Sequence, residues 1–326
     1  MTSTIRRLRD ILRPHVSLQS EYAIRRFAFR WLPTHGQLSA PKRIVHACAW
    51  KTASQWVRLI ISDPRIYRHT GCLPFLFSQI RADDGAAAVY RKADRSVVLA
   101  AYGTAEEIDA LAEHPLEPFF VVRDPRSMLV SWYHSTRFTH PASPGVCRHR
   151  AAMAGMGDAE AFLYCADAFA AEFGPILDSW ARRADRVRIV RFEALTGPCG
   201  DRVWQDLFTG LGLTVPQPVL NAVLSTYALE KLVPSTARDA AGDKYASRGK
   251  RSWPDFLPGD ADERLRRRLR GWARSFGYCE DAIRTTASAA GDHDRDCRGR
   301  PGIHPAARLA QGVPSAKPAG SGTRRA

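Results

Sequence analysis

Along the middle of the chain, apolar positions switch repeatedly between a period of two and a period near 3.6. The segments "RIVHACA" (43–49), "SVVLAAY" (96–102), "PFFVVRD" (118–124) and "VRIVRF" (187–192) are short runs rich in β-branched or aromatic residues and read as strands. Between them the pattern turns helical. A helix is predicted from about Ser54 to Ser62, stopped by Pro64. Thr104 and Glu107 stand in capping-box spacing at the start of "TAEEIDALA", and Pro125 opens "PRSMLVSWYHST" at a favoured first helical position. A long helical stretch covers about 159–184, helices dominate 198–233, and "DADERLRRRLRGWARSFGY" (260–278) is the last one. Strands alternating with helices predict an α/β protein with a central parallel sheet flanked by helices. Ligands in such sheets sit at the carboxyl ends of the strands, where Lys51 and Arg123 both fall.

The flanks read differently. "TIRRLRDILRPHV" and "EYAIRRFAFRWL" carry apolar residues at helical spacing among arginines, so residues 1–42 form a basic, helical extension packed on the surface, with peripheral membrane contact as the alternative. Residues 281–326 lack periodicity and are expected to be disordered, which leaves 43–280 as the principal domain. Charge follows the same division. Of the net +15, residues 1–43 hold +7 and residues 281–326 hold +4, so the core has only a small surplus, suited to a small polyanion. The seven cysteines are scattered with no C-x-x-C pair, which argues against a zinc knuckle or a redox motif. With no long apolar run and no cleavable leader, reduced thiols in a cytoplasmic protein are the expectation.

Three stretches carry chemistry. In "WKTASQW", Lys51 lies where a strand hands over to a helix, with hydroxyl and amide donors at Thr52, Ser54 and Gln55. Helix N-termini bind anions through unpaired N–H groups. This is not Walker spacing, and taken alone Lys51 is equally a solvated lysine. In "VVRDPRSMLVSWYHS", Arg123 ends a strand and Ser131 lies two turns into the following helix. A guanidinium grips phosphate through paired hydrogen bonds, although Arg123 could instead pair with Asp124. In "DKYASRGKRSW" (243–253), Gly249 permits close backbone approach beside Arg248 and Lys250; a flexible exposed loop has the same composition.

In that order, the three stretches resemble the sulfotransferase superfamily, enzymes that use 3′-phosphoadenosine 5′-phosphosulfate (PAPS). "RDPRSMLVSWYHS" is similar throughout to the family's 3′-phosphate motif. The resemblance covers roughly 43–278 and implies a P-loop-like three-layer fold. It implies that Lys51 is catalytic, and that Lys51, Thr52, Ala53, Ser54, Gln55 and Trp56 form the 5′-phosphosulfate loop, with Trp56 flanking the adenine. Arg123, Ser131, Arg248 and Gly249 would hold the 3′-phosphate. "RFEAL" (191–195) would bring Phe192 near the nucleotide, and "TYALEKL" (226–232) would lie on the adenine side. PAPS would be a co-substrate and no metal is implied. The family's loop glycine is replaced by Ala53, which suggests a residue already in helical conformation.

One part of the family's pattern is missing. Many cytosolic members carry a base histidine after the second predicted strand, and "AAYGTAEE" has none. Glu106 or Glu107 could serve, and His69 lies on the variable acceptor side; each is also an ordinary capping or surface residue. Tyr102 titrates too high for the task unless strongly perturbed, and His134 reads as a packing residue. The acceptor is expected to be a small-molecule or glycan hydroxyl, or an amine, lodged against 64–100 and 137–157; nucleic acid is not an expected partner. Two rivals remain at this level: a P-loop-like nucleotide kinase, and a non-catalytic binder of anionic surfaces.

Overall fold

The computed structural model describes residues 17–35, 41–111, 115–228, 231, 259–278 and 303–304. Helix α1 (Leu18–Phe29) comes first, capped by Ser17, whose side chain accepts from the Ser20 N–H. Strand β1 (Lys42–Cys48) feeds α2 (Ser54–Ile61). Pro64, read from sequence only as a stop, also starts a second helix, α3 (Pro64–Thr70), capped by Asp63. There follow β2 (Leu73–Leu76), α4 (Phe77–Ala82), α5 (Asp84–Arg91) and β3 (Arg95–Ala101). The Thr104–Glu107 capping box forms at the start of α6 (Ala105–Asp109). Strand β4 (Glu117–Val122) leads into α7 (Pro125–His134), which continues as one π-helical turn over Ser135–Thr139. Helices α8 (Pro144–Ala152) and α9 (Asp158–Ala181) precede β5 (Arg188–Arg191), α10 (Phe192–Thr196), α11 (Gly200–Gly210) and α12 (Gln217–Thr226). Helix α13 (Gly259–Ser275) and a short strand β6 (Ile303–His304) complete the described elements.

The sheet order is β2-β3-β1-β4-β5-β6. The first five strands are parallel, and β6, drawn from a segment read as a disordered tail, is antiparallel to β5. Successive residues of a strand point to opposite faces, so β1 supplies both cores. Val45 and Ala47 join Phe75, Val98, Phe120 and Val122 under α7, α9 and α13. Ile44 and Cys48 join Phe119, Val121 and Val190 under α2, α11 and α12. Helix α1 is tied to this second layer and to the sheet edge: Tyr22 and Phe29 are buried, the Tyr22 hydroxyl is 3.2 Å from Ser62 Oγ, and Arg26 donates to Gln79 Oε1 and the Pro74 carbonyl.

Cys48, Cys72, Cys147 and Cys165 are free thiols, whereas Cys199 is disulfide-bonded, contrary to the expectation of reduced thiols throughout. No described helix is long and apolar enough to cross a membrane.

Candidate active site

In the sheet β1 lies between β3 and β4: from β1 the chain crosses to β2 and returns through β3 on one side, then passes to β4 and β5 on the other, which makes the carboxyl end of β1 the point where strand order reverses. Loops diverge there and leave a crevice. The loop after β1 is Ala49–Ala53. Lys51 has φ 69° and Ala53 has φ 57°, both left-handed, with Thr52 between them outside that region. Alternation of this kind turns successive N–H groups toward one side, a geometry that cradles anions. Ala53 is the N-cap of α2 and offers no side-chain cap. The first N–H groups of α2 therefore remain for a ligand. The family-based expectation that Ala53 is already helical is overturned: it occupies the conformation glycine adopts most easily.

Hydroxyls in the loop are partly committed. Thr52 is fully buried and donates to the Ala49 carbonyl at 2.8 Å, so its side chain braces the turn. Ser54 Oγ bonds the Tyr102 hydroxyl. Gln55 is exposed at the same helix start, and Lys51 is half-buried. Trp56 is nearly buried, donating from Nε1 to the Tyr227 carbonyl at 2.8 Å and lying edge-on to Trp204.

Arg123 comes to this loop from the neighbouring strand. Its Nη1 lies 3.4 Å from the Lys51 carbonyl oxygen, and its guanidinium sits 5.1 Å above the Phe192 ring centroid. The Asp124 carboxylate is held by buried Arg126, through Nε at 2.9 Å and Nη2 at 2.7 Å, and it caps α7 by accepting from the Arg126 N–H. The Asp124 N–H donates to Glu193 Oε1, and Glu193 Oε2 accepts from the Tyr278 hydroxyl at 2.7 Å. The backbone that aims Arg123 is thus fixed from two sides. Ser131 lies half-buried in the second turn of α7. Arg248 and Gly249 lie outside the described residues.

The candidate bases fare differently. Glu106, more than half exposed, is ion-paired with Arg183 at 3.4 Å and Arg182 at 3.7 Å. A hydrogen bond from its own backbone N–H, helped by these arginines, holds its carboxyl below its ordinary range. Such a carboxylate is a weak proton acceptor. Glu107 is used by the capping box and by Arg81. His69 is not brought to the crevice: it ends α3 just ahead of β2, at the amino edge of the sheet, with its ring 4.9 Å from that of His35. Burial, seconded by His35, lowers its pKa. Tyr102 is pushed up by burial, away from any basic role.

Three contributors went unnoticed in the sequence. Glu193 locks the turn after β4. Trp50, just before Lys51, gathers Tyr102, His140 and Phe173 around its ring at 5.8–5.9 Å. His140 itself is half-buried. Among the described residues no three His, Cys, Asp or Glu side chains cluster as a metal site would require.

No family model matches this chain, and no curated protein matches it by sequence. Among solved structures it is similar to the crystal structure of a mouse sulfotransferase, SULT7A1, complexed with PAP. That likeness has a TM-score of 0.51 at 13% identity and covers 83% of this chain and 92% of the other. The fold is therefore the P-loop-like α/β fold of sulfotransferases.

Proposed function

We propose that this protein is a sulfotransferase, moving a sulfuryl group from PAPS to a hydroxyl, or an amine, of a small-molecule or glycan acceptor. The observation that carries this reading is the meeting of the Lys51 loop with Arg123 at the switch point of the sheet, 3.4 Å apart. One end offers the uncapped N-terminus of α2 and a lysine, and the other a guanidinium on a rigid turn. Two anionic groups of one nucleotide, held apart by the nucleoside, suit this pair. The loop N–H groups and Lys51 would hold the 5′-phosphosulfate, while Arg123 and Ser131 would hold the 3′-phosphate.

Sulfuryl transfer is close kin to phosphoryl transfer, an in-line displacement that builds negative charge on the leaving oxygen. This chain's part is to align the reactants and stabilise that charge, which is the role of Lys51. Arg123 binds far from the reacting sulfur, so its binding energy serves orientation.

Isothermal titration with 3′,5′-adenosine bisphosphate tests the proposal. Much of the affinity is expected to survive in Lys51→Ala, whereas Arg123→Ala is expected to weaken binding strongly. With labelled donor and an acceptor panel, Lys51→Ala is expected to lower turnover by about a hundred- to a thousandfold. A wild-type protein that binds no bisphosphate, or that hydrolyses ATP with magnesium, would overturn the reading in favour of another nucleotide chemistry or none.

A further inference from the structure

Sulfuryl transfer to a hydroxyl needs a group to take the acceptor proton, and the stretch after β3 supplies none: Tyr102 is bonded to Ser54, Glu106 to arginines and Glu107 to its cap. The next loop at the same edge differs. Beyond α7 the chain makes one π-helical turn, closed by the His140 N–H donating to the Ser135 carbonyl at 2.7 Å. Such turns are rare and recur at functional sites, where they re-aim a side chain. Arg150 of α8 pins this one, donating from Nε to the Thr136 carbonyl at 2.8 Å and from Nη2 to the His140 carbonyl at 2.7 Å.

Held in this way, the His140 ring stacks almost parallel on Trp50, 5.8 Å between centroids and 15° between planes. Trp50 immediately precedes Lys51, so the imidazole stands beside the loop assigned to the transferring group. The tautomer is set as well. His140 Nδ1 lies 2.9 Å from the Pro141 carbonyl oxygen, and a carbonyl oxygen can only accept. In the neutral ring the proton therefore sits on Nδ1 and the lone pair on Nε2, which has no protein partner among the described residues.

We infer that His140 is the general base of the transfer; the inference rests on the donor reading above. As the acceptor oxygen forms its bond to sulfur, its O–H proton passes to His140 Nε2. The bond from sulfur to the 5′-phosphate oxygen breaks, and that oxygen leaves with the electron pair beside Lys51. The imidazolium then returns the proton to water. The side chains of Trp50, Tyr102 and Phe173 make an aromatic wall against which the acceptor would lie.

Two variants and one spectrum test this. His140→Gln is expected to bind 3′,5′-adenosine bisphosphate within threefold of wild type by titration calorimetry. Its release of labelled sulfate from PAPS, to water or to an acceptor from the panel, is expected to fall by about a hundredfold or more. Added imidazole is expected to restore part of the rate to His140→Ala, which a merely structural role for the ring does not predict. Long-range ¹⁵N correlation spectra of the wild-type protein at about pH 8.5, where an ordinary histidine is neutral, free and with the bisphosphate, are expected to show Nε2 unprotonated, with the ring assigned by through-bond correlation to its backbone. A wild-type rate in His140→Gln, or a proton found on Nε2, would overturn the assignment; if the variants fail to fold, the wild-type tautomer decides. Loss of bisphosphate binding by wild type would instead remove the donor reading beneath it.

Discussion

Ala53 shows how much a single residue can conceal. Alanine is the best helix former, and its place at a helix start reads as helix. The turn from β1 into α2 nevertheless forces it to φ 57°. A left-handed backbone costs an L-residue roughly 1–2 kcal/mol, part of which glycine returns through the greater freedom of its unfolded chain. Ala53→Gly is therefore expected to raise stability by up to about 1 kcal/mol in urea unfolding, with the loop unchanged. His46 is a second case. Its place in a strand was legible, but not that it would be wholly buried against Phe119, 5.2 Å between rings, with Nδ1 accepting from the Ala100 N–H. Burial, aided by nearby Arg58, lowers its pKa to about 3. The unfolded chain takes up a proton below about pH 6.5 that the native state refuses. Stability is thus expected to fall as pH drops from about 6.5 to about 3, at roughly 1 kcal/mol or somewhat more per unit from this residue, and to level off below. His46→Leu should flatten that fall; denaturant melts at pH 7.5 and pH 5, compared between the two proteins, measure it.

Among the elements, those with strong local signals were legible. The capping box of α6, Pro125 at the start of α7 and four of the six strands follow from residues close in sequence. Strand β2 was not, because it is four residues long and contains Pro74, which argues against a strand except at a sheet edge. The strand-turn-helix unit β4–α7 shows what a motif needs beyond its signature residues. The "RDPR" segment was read for Arg123, yet the pair that shapes it is Asp124 with Arg126, both about nine-tenths buried. Asp124→Ala removes the cap of α7 and strands a buried guanidinium. Breaking a buried pair in this way typically costs about 3–5 kcal/mol. The variant is expected to melt well below wild type and to bind bisphosphate weakly even at temperatures where it stays folded; calorimetry and titration check both.

For the molecule as a whole, the described part of the basic extension is built into the domain. Residues in α1 bury Tyr22 and Phe29 and set Arg26 against Phe75, 4.7 Å from its ring centroid, so this helix belongs to the packing of the domain. Fully burying such side chains contributes roughly 1.5–3 kcal/mol each. Deleting residues 1–35 is expected to lower stability by several kcal/mol in thermal or urea unfolding, whereas a solvated arm would leave it unchanged.

The sequence by itself determined the alternation of strands and helices, the carboxyl-edge placement of Lys51 and Arg123, and the composition of the two stretches proposed to bind anions, because each depends on local periodicity and short spacing. Only the tertiary structure decided which residues meet. It brought Arg123 to the Lys51 carbonyl across 72 positions, took His69 to the far edge of the sheet, committed Glu106 to Arg182 and Arg183, and laid His140 on Trp50. Those outcomes follow from strand order and from one π-helical turn, and neither leaves a periodic trace in the chain.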